Sequence, residues 1–241
     1  MNDKGRITVV TVVKNCVCHI EETILNVIKK KATVEIDYIV IDGGSTDGTA
    51  DIIRRYADQI LYWISEPDKG IYDAMNKGWA AAADDSFILF LGAGDRIISL
   101  PKQLVSYTHT DVIYGSVQIG KKSIFKARAD FHLKLYNSLH HQALLVNKAI
   151  HPVSPFNCRY EVYADFDFNQ RLKKGGANFV YSSEFMGYAR PGGVSDEQNF
   201  AESLRVIWKN FGVLWSMLAA GGWVVMKILP PLKRLRPFHA S

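Results

Sequence analysis

The chain is organised around the stretch Phe87-Ile88-Leu89-Phe90-Leu91-Gly92-Ala93-Gly94-Asp95. Five consecutive apolar residues, preceded by a polar turn and followed by glycines, predict a strand in the middle of a parallel sheet. The carboxylate of Asp95 then lies just past the strand, at the edge where open α/β sheets bind ligands. The glycines lack a Cβ atom, so a phosphate-bearing ligand and a metal ion can approach the backbone closely. Taken alone, the pattern is also typical of an ordinary turn that is capped by an Asp.

The first half of the chain alternates β-branched or apolar runs with segments of helical periodicity. Strand, helix, strand, helix, strand at this spacing predicts a largely parallel sheet with right-handed crossovers. In the first helical segment, acidic residues stand at the start and lysines at the end, as the helix dipole favours. The predicted strands cover residues 7–13, 34–41 and 60–64, and the predicted helices cover residues 19–30 and 50–57.

Length and composition indicate one domain with an appendage. A chain of 241 residues, 48% of them hydrophobic, can bury one sizeable core. The net charge of +5 fits an anionic partner, and a nucleic acid, a phosphorylated small molecule and an anionic bilayer all qualify. A basic face with interleaved aromatic residues is missing outside the tail, so nucleic-acid binding ranks last. The three cysteines have neither a paired framework nor zinc-ligand spacing, which favours reduced thiols.

Two polar segments follow predicted strands in the first half. Asp42 ends the second strand and precedes two glycines, so its carboxylate is placed to accept hydrogen bonds from a nucleotide base or a ribose hydroxyl. Capping of the turn is the alternative role. Residues 65–78 then combine chain breakers with charged residues and lead into a helix near Tyr72. Such a segment beside the strand-end edge is suited to gripping a ribose and a diphosphate.

Four of these segments together resemble a known enzyme family. Residues 10–15, 41–49, 65–78 and 90–95 resemble, in order and spacing, the nucleotide-binding half of family 2 glycosyltransferases. The branch that looks most similar serves bacterial exopolysaccharide, O-antigen and colanic-acid-type assembly, and the resemblance covers roughly residues 6 to 190. It implies an α/β GT-A (Rossmann-like) fold, with a mostly parallel sheet flanked by helices. It also implies a nucleoside-diphosphate sugar donor with uridine diphosphate as the favoured carrier, Mg²⁺ or Mn²⁺ as cofactor, and inversion at the anomeric carbon.

The resemblance also implies roles for individual residues of the first half. Asp95 falls on the last acidic position of the family's metal-binding motif, whereas residues 92–94 hold no second carboxylate. Mg²⁺ often takes only one or two protein carboxylates, so Asp95 alone can suffice. The predicted nucleoside contacts are Thr11 and Asp42, the predicted ribose and diphosphate contacts are Glu66, Asp68 and Lys69, and the other predicted substrate-binding residues are Asn15, Asp73 and Asn76.

The second half is predicted to build the acceptor side. Residues 111–119 and 123–127 read as a hairpin, and the His-Gln pair at His141 and Gln142 is expected beside the donor phosphates by resemblance. A zinc site at the histidines is disfavoured because no Cys or acidic partner stands at ligand spacing. By resemblance, Asp165 is the catalytic base that takes the proton of the acceptor hydroxyl, with Asp167 as its rival. Two ordinary caps in the first helical turn are the alternative to both roles. Arg190 is expected to meet the diphosphate.

We expect a glycosyltransferase domain over residues 1–195, with a nucleotide-sugar half at about 1–100 and an acceptor half at about 101–195. Residues 196–241 are predicted to form an amphipathic, helical, membrane-associating tail. Its uncharged run over residues 211–226 contains Trp215 and Trp223, follows Trp208, and is flanked by basic residues, which favours lying in the interface of an anionic membrane. A true span and a packed core helix are the alternatives. The expected location is the cytoplasmic face of the inner (plasma) membrane, in peripheral or monotopic attachment.

The sequence therefore predicts an inverting, metal-dependent sugar transferase that acts on a polyprenyl-diphosphate-linked glycan in cell-surface polysaccharide biosynthesis. A non-catalytic sugar-nucleotide-binding or scaffolding protein of the same assembly is one alternative, since residues 92–94 lack the second carboxylate. A nucleotide-dependent oxidoreductase is the other, and it is disfavoured because no Gly-X-Gly-X-X-Gly follows the first strand.

Overall fold

The computed structural model describes residues 5–102, 104–107, 109–121, 123–151, 153–192 and 199–228. The strands are β1 (Arg6–Val13), β2 (Ile36–Asp42), β3 (Tyr62–Ser65), β4 (Ser86–Gly92), β5 (Arg96–Ser99), β6 (Val112–Ile119), β7 (Ser123–Phe125), β8 (Leu144–Asn147) and β9 (Phe179–Ala189). The helices are α1 (Ile20–Lys31), α2 (Thr49–Arg55), α3 (Ile71–Ala81), α4 (Ala164–Lys174), α5 (Phe200–Phe211) and α6 (Val213–Ile228).

One sheet runs through the domain in the order β3-β2-β1-β4-β8-β6-β9-β5, with β7 paired to β6. The first four strands in this order are parallel, as predicted, and β4 covers the stretch from which the prediction began. Val10 of β1 pairs with Ile39 of β2 on one side and with Phe90 of β4 on the other. The carboxyl ends of β1, β2 and β4 therefore meet at one edge, where the loops 14–19, 43–48 and 93–95 follow.

The second half of the sheet is mixed. Strand β8 runs antiparallel to both β4 and β6, β9 runs parallel to β6, and β5 runs antiparallel to β9. The predicted hairpin is confirmed, since Val117 of β6 pairs with Phe125 of β7 in an antiparallel arrangement. Strand β9 ends at Ala189 beside β5, so Arg190 comes close to the turn that contains Asp95.

Both faces of β1, β2 and β4 are covered, which explains why these strands are mostly apolar. On β1, Ile7 and Val9 belong to the core that includes α1, whereas Val10 and Val12 belong to the core that includes α3 and α4. Helix α3 packs so closely on β1 that a Cβ atom at Gly78 would collide with the Val10 side chain. A glycine is therefore required at this position of the helix for steric reasons.

The beginning of the predicted tail belongs to the packed domain. Val206 and Ile207 of α5 are buried in the same core as α3 and α4, so the packed chain continues past the predicted boundary at residue 195. Helix α6 lies back along α5, where the ring of Trp223 stacks on Phe200 at 4.4 Å. Within the described residues, no helix combines the length and apolarity needed to cross a bilayer. Residues 193–198 and 229–241, which the predicted tail also includes, lie outside the described residues.

Candidate active site

Three residues that were predicted separately meet at the turn after β4. Asp95 is buried, and its Oδ2 atom accepts hydrogen bonds from the N–H of Gly92 at 2.9 Å and from Nε2 of Gln142 at 3.0 Å. Its Oδ1 atom accepts the N–H of Arg190 at 2.9 Å. The carboxylate of Asp95 thus ties the end of β4 to the segments after β7 and β9, and it joins the two halves of the site.

The turn itself is fastened by Thr23, which sequence reasoning did not select. Thr23 is fully buried in α1, where its hydroxyl accepts the N–H of Gly94 at 2.8 Å and donates to the carbonyl of Asp95 at 2.9 Å. Gly94 has a φ of +96°, and a Cβ atom there would collide with the side chain of Arg190. The glycine therefore allows the close approach of Arg190 over the turn.

Asp165 lies in the first turn of α4, and its side chain is 15% exposed. Its Oδ1 atom accepts the N–H of Phe166 at 2.7 Å, a bond within the helix start. Its Oδ2 atom has looser neighbours, Nδ1 of His141 at 3.7 Å and Nδ2 of Asn137 at 3.5 Å. This oxygen keeps capacity for a further hydrogen bond, which a general base requires.

The two neighbouring histidines have opposite environments. Burial lowers the pKa of His141, but the nearby carboxylate of Asp165, with the charge of Asp95, outweighs this effect, so the net pKa is raised. Burial lowers the pKa of His140, and the charge of His141 lowers it further. The ring of His140 packs edge-on against Phe125, with a centroid distance of 4.3 Å. His141 is thus the imidazole that faces the carboxylates of the site, and His140 belongs to its apolar support.

Asp167, the rival to Asp165, is buried and its carboxylate is used in internal contacts. It is fully buried, and its Oδ2 atom accepts Nε of Arg171 at 2.9 Å. Its Oδ1 atom accepts Nδ2 of Asn210 at 3.1 Å and lies 3.7 Å from the ammonium of Lys209. Residues two apart on a helix do not share a face, and here one carboxylate faces the site while the other anchors α5. Of the two carboxylates, Asp165 is the one that keeps an oxygen available, and its role as the base stays a prediction.

The start of α4 is held by a buried carboxylate that sequence reasoning missed. Glu202 of α5 accepts the N–H groups of Glu161 at 3.0 Å, Val162 at 2.9 Å and Tyr163 at 2.7 Å. Its only local signal is its place three residues after the N-cap Asn199, whose side chain accepts the Glu202 N–H. The fold alone brings Glu202 to the segment that positions Asp165.

In the nucleotide half, two predicted nucleoside contacts are buried in the sheet. Thr11 is fully buried, and its hydroxyl lies 3.1 Å from the hydroxyl of Tyr38, so the structure does not bring this side chain to the site surface. Asp42 is also fully buried; its carboxylate accepts the N–H of Ser45 at 3.0 Å and the hydroxyls of Ser45 and Ser65. Asp42 therefore fastens the loop after β2, and its contact with a nucleoside stays a prediction.

The loop after β2 is held from both sides by other predicted residues. The side-chain oxygen of Asn15, a residue with φ of +49°, accepts the N–H of Thr46 at 2.9 Å. Asp68 lies over Gly43 so closely that a Cβ atom there would collide with the carboxylate. Asp68 also accepts the N–H of Gly70 at 3.1 Å. These contacts bring the strand-end loops together into one surface, as the prediction requires.

The segment before α3 is closed by charged pairs. Lys77 donates to Glu66 at 2.8 Å, and this hydrogen bond raises the pKa of Lys77 above its usual value. Asp73 accepts the N–H of Lys69 at 3.1 Å, which fastens the loop to the first turn of the helix. The structure thus places Glu66, Lys69 and Asp73 together at the start of α3. Lys77 completes this group, although sequence reasoning did not select it.

Helix α3 also links the two halves. The amide of Asn76 donates to the carbonyl of Phe156 at 2.8 Å and accepts its N–H at 3.0 Å. Because both amide groups are used in this bridge, the geometry gives Asn76 a positioning contact. The hydroxyl of Tyr72 donates to the carbonyl of Val162 and lies 3.4 Å from Oδ1 of Asp165. The nucleotide half is therefore in direct contact with the predicted base.

The fit to a divalent cation rests on Asp95 and its surroundings. Within the described residues there is no group of three or more His, Cys, Asp or Glu side chains that could hold a metal ion. Beside Asp95, the buried Oε1 atom of Gln142 has no hydrogen-bond partner among those residues. One hard carboxylate ligand, with a free acceptor for a bound water or hydroxyl, fits Mg²⁺ or Mn²⁺ whose other ligands are phosphate oxygens and waters.

Comparison with known sequences gives a consistent result. A family model described as glycosyl transferase family 2 matches residues 8–165, more than half of the chain. A PGL/p-HBAD biosynthesis glycosyltransferase from Mycobacterium bovis is 31% identical over 160 residues, which cover 61% of this chain and 62% of that protein. An uncharacterized glycosyltransferase from Mycobacterium tuberculosis is 36% identical over 96 residues, which cover 40% of this chain and 36% of that protein. The chain thus matches less than two thirds of the length of these relatives.

Solved structures share the fold. Residues 1–349 of S. aureus TarS, in complex with UDP, superpose with a TM-score of 0.63 at 18% identity, covering 85% of this chain and 65% of that chain. The mannosyltransferase PcManGT from Pyrobaculum calidifontis, in complex with GDP-Man and Mn²⁺, gives a TM-score of 0.60 at 16% identity, covering 94% and 76%. At these identities the likeness concerns the fold, and it confirms the predicted mixed α/β GT-A architecture.

Proposed function

Because the chain belongs to glycosyl transferase family 2, we propose that it transfers a sugar, with inversion, from a nucleoside-diphosphate sugar to a lipid-linked glycan acceptor. Two observations on similar proteins support the donor, since one was solved with UDP and another with GDP-Man. We take UDP as the nucleotide and cell-surface polysaccharide biosynthesis as the setting. The name of the M. bovis relative refers to a biosynthetic role, in PGL/p-HBAD biosynthesis.

The observation that carries the proposal is the available oxygen of Asp165 at the start of α4. In the proposed reaction, the oxygen of an acceptor hydroxyl attacks the anomeric carbon and forms the new glycosidic bond. The bond from that carbon to the diphosphate oxygen breaks, and its electron pair leaves with the nucleoside diphosphate. Oδ2 of Asp165 takes the proton of the attacking hydroxyl, so charge and atoms balance. Attack from the face opposite the leaving group inverts the anomeric carbon.

The leaving diphosphate would be stabilised from the Asp95 side of the site. His141, whose pKa is raised by the neighbouring carboxylates, supplies positive charge when protonated, and Arg190 lies over the turn that holds Asp95. A divalent cation bound with the donor would have Asp95 as its protein ligand and would offset the charge that develops on the departing diphosphate. In this arrangement the base lies on α4, whereas the charge-stabilising groups lie on the segments around Asp95, His141 and Arg190.

Peripheral attachment to the cytoplasmic face of the inner membrane is part of the proposal. Its support is the outer face of α6, where Leu214 is 73% exposed and Met217 is 66% exposed. Exposed apolar side chains in consecutive helical turns match an interfacial helix better than a solvated one. An acceptor with a polyprenyl chain would be within reach of an enzyme that is held at this surface.

The test is a donor-turnover measurement on the full chain. The purified protein is incubated with a panel of UDP, GDP and dTDP sugars, Mg²⁺ or Mn²⁺, and a polyprenyl-diphosphate glycan extract. Release of nucleoside diphosphate and transfer of label to lipid are followed together, and NMR of the product gives the anomeric configuration. We expect one donor to be used, metal-dependent release, and loss of turnover in Asp165→Asn.

Glu161→Gln is the matched control, because Glu161 is an exposed carboxylate four residues earlier on the same segment. It should keep turnover within about twofold of the wild type. Nucleotide binding with equal, negligible turnover in the wild type and Asp165→Asn would instead support a sugar-nucleotide-binding protein without catalysis. A product with retained configuration would contradict the assignment of Asp165 as a base.

A further inference from the structure

A second concave site lies away from Asp95 and Asp165, between α5 and the segment that precedes α4. Its cavity has a volume of about 530 Å³, within the range of roughly 300 to 1,000 Å³ that is typical of ligand sites. None of the residues selected for the sugar-transfer site contributes to it. Its lining residues are Asn157, Arg159, Tyr160, Arg205, Trp208 and Lys209.

The cavity is positively charged. Three of its lining residues are cationic and none is acidic. Arg159 and Arg205 are exposed, and neither forms an ion pair with another residue in the part of the chain that the structure describes. Lys209 lies 3.7 Å from the buried Asp167 and 5.5 Å from the ring centre of Tyr160. Two guanidinium groups therefore remain available for an anion, and guanidinium forks match phosphate oxygens well.

The part of the cationic wall that α5 contributes lies on the exposed side of the helix. On α5 the exposed positions Arg205, Trp208 and Lys209 form one face of the helix, whereas Val206 and Asn210 on the other side are buried. Trp208 is 61% exposed at the rim of the cavity, an unusual position for so large an apolar side chain. Both the charge and the aromatic ring are thus presented outwards.

The apolar face of α6 begins next to this rim. The N–H of Gly212 donates to the carbonyl of Trp208 at 2.8 Å, and the chain turns there into α6. The first residues of α6, Val213 (56%) and Leu214 (73%), are apolar and exposed, and the exposure continues one turn later at Met217 (66%) and Leu218 (62%). The chain thus presents cationic groups, then a tryptophan, then apolar side chains. This matches the order of a membrane surface, where charged headgroups lie outside the interface and the acyl chains lie inside it.

We propose that this cavity binds the phosphate headgroup of an anionic phospholipid, with Arg159 and Arg205 as the phosphate ligands. Trp208 then lies at the level of the headgroups, and the exposed row of α6 enters the boundary of the acyl chains. The proposal deepens the membrane attachment within the proposed function and rests on it, since it names the lipid class and the contact residues. An anionic lipid is favoured over free phosphate because the apolar row adjoins the charged cavity.

The experiment is flotation of the full chain with vesicles of phosphatidylcholine alone or with 30 mol% phosphatidylglycerol. The test variant is Arg159→Gln/Arg205→Gln, and the control is Lys29→Gln/Lys31→Gln, which removes the same charge from an exposed end of α1. We expect the wild type to prefer phosphatidylglycerol vesicles and the test variant to lose about tenfold or more in vesicle affinity. The control should lose less than about threefold.

Equal losses of vesicle affinity in the test and control variants would show that net charge alone drives binding, and would contradict the proposed lipid site. Equal binding of the wild type to both kinds of vesicle would contradict it as well.

Calorimetry with inorganic phosphate tests whether the cavity binds a free anion. Phosphate binding that the double variant abolishes, with unchanged vesicle affinity, would assign the cavity to a free anion. Donor turnover in detergent should be unaffected in the test variant, so failure of the lipid site and failure of sugar transfer are distinguishable.

Discussion

Asp42 and Asp165 both stand at predicted ligand-binding positions, yet the structure uses their carboxylates in different ways. Asp42 is fully buried and accepts hydrogen bonds from Ser45 in the loop after β2 and from Ser65 at the end of β3. Among the described residues, the neighbours of Oδ2 of Asp165 lie at 3.5 and 3.7 Å. Asp42 thus fixes loop geometry in the nucleotide half. Asp165, in the acceptor half, keeps one oxygen available. The difference shows that a motif residue can serve a ligand indirectly, by fixing backbone groups, as well as by touching it.

The same contrast recurs within the acceptor half. Asp165 and Asp167 are two residues apart, but one faces the site and the other is enclosed by Arg171 and Asn210. The buried carboxylate fixes the position of α5, and α5 in turn supplies Glu202 to the segment before α4. The available oxygen of Asp165 therefore lies next to carboxylates, Asp167 and Glu202, whose oxygens are used in hydrogen bonds that hold the fold.

The largest expected effect separates activity from stability. Asp165→Asn should lower kcat by about a hundredfold or more, because it removes the base that takes the acceptor proton. Its midpoint of urea unfolding should stay close to that of the wild type, since its one short bond is to the adjacent N–H. Turnover and unfolding are measured on the same preparation.

Asp42→Asn is the counterpart in the nucleotide half. The substitution replaces one of the oxygens that accept bonds from Ser45 and Ser65 by a donor, so it should lower the free energy of unfolding by about 1 to 3 kcal/mol. An Asp42→Asn protein of wild-type stability that has lost only UDP affinity would contradict the structural role assigned to this carboxylate.

Glu202→Ala should lower the free energy of unfolding by about 2 to 3 kcal/mol, because three backbone N–H groups lose their shared acceptor. Hydrogen exchange of the amides of residues 161–163 should become faster, and Glu202→Gln should show a smaller change. Glu184→Ala, which removes an exposed carboxylate from β9, is the control and should cost less than about 1 kcal/mol. Unchanged exchange at residues 161–163 would rule out the positioning role.

The two histidines should give opposite pH dependences of stability. The pKa of His141 is raised in the folded state, so protonated His141 stabilises the fold below its unfolded pKa of about 6.5. That contribution is lost as the pH rises through the folded pKa. The stability difference between wild type and His141→Gln should therefore shift in favour of the wild type at pH 6 relative to pH 8.5.

For His140 the sign is reversed. Burial lowers its pKa in the folded state, so protonation favours the unfolded chain and the wild type loses stability as the pH falls through about 6.5. The difference between wild type and His140→Gln should accordingly shift against the wild type at low pH. Urea unfolding of the wild type and of each variant at pH 6 and 8.5 measures both stability differences. If the two differences change with pH in the same direction, the environments assigned to the two histidines are wrong.

The smallest effect is expected for the ion pair between Glu66 and Lys77, whose side chains are 46% and 26% exposed. Glu66→Gln should change the free energy of unfolding by less than about 1 kcal/mol, and 1 M NaCl should remove most of that difference. A loss above about 2 kcal/mol would show that the loop before α3 depends on this pair, which would weaken the contrast with Asp42.

The predicted order of strands and helices in the nucleotide half was correct because each element carries its own periodicity and its own end signals. Strand β4 covers residues 86–92 around the apolar run that was predicted over residues 87–91. The prediction that Asp95, Gln142 and Arg190 belong to one site also agrees with their hydrogen bonds. Their ligands and the exopolysaccharide branch stay predictions.

Other parts of the site could not be found from the sequence. Thr23 and Glu202 act on segments about 70 and 40 residues away along the chain, and nothing in their neighbourhood marks them for those contacts. The burial of Thr11 was missed because a β-branched polar residue fits a strand equally well on a covered and on an open face. The continuation of the packed domain into α5 was missed because the amphipathic pattern of a helix does not identify what covers its apolar face.

The sequence by itself determined the parallel nucleotide half and the position of Asp95 at its edge, because these follow from local periodicity and ordered motifs. Resemblance selected Asp165 as the candidate base, with Asp167 as its rival. Only the tertiary structure showed that Asp167 is enclosed while Asp165 keeps an oxygen available, brought Glu202 beneath the start of α4, and formed the cationic cavity between α5 and the segment before α4. The physical reason is that burial and the availability of a hydrogen-bonding atom depend on neighbours that are distant in the chain.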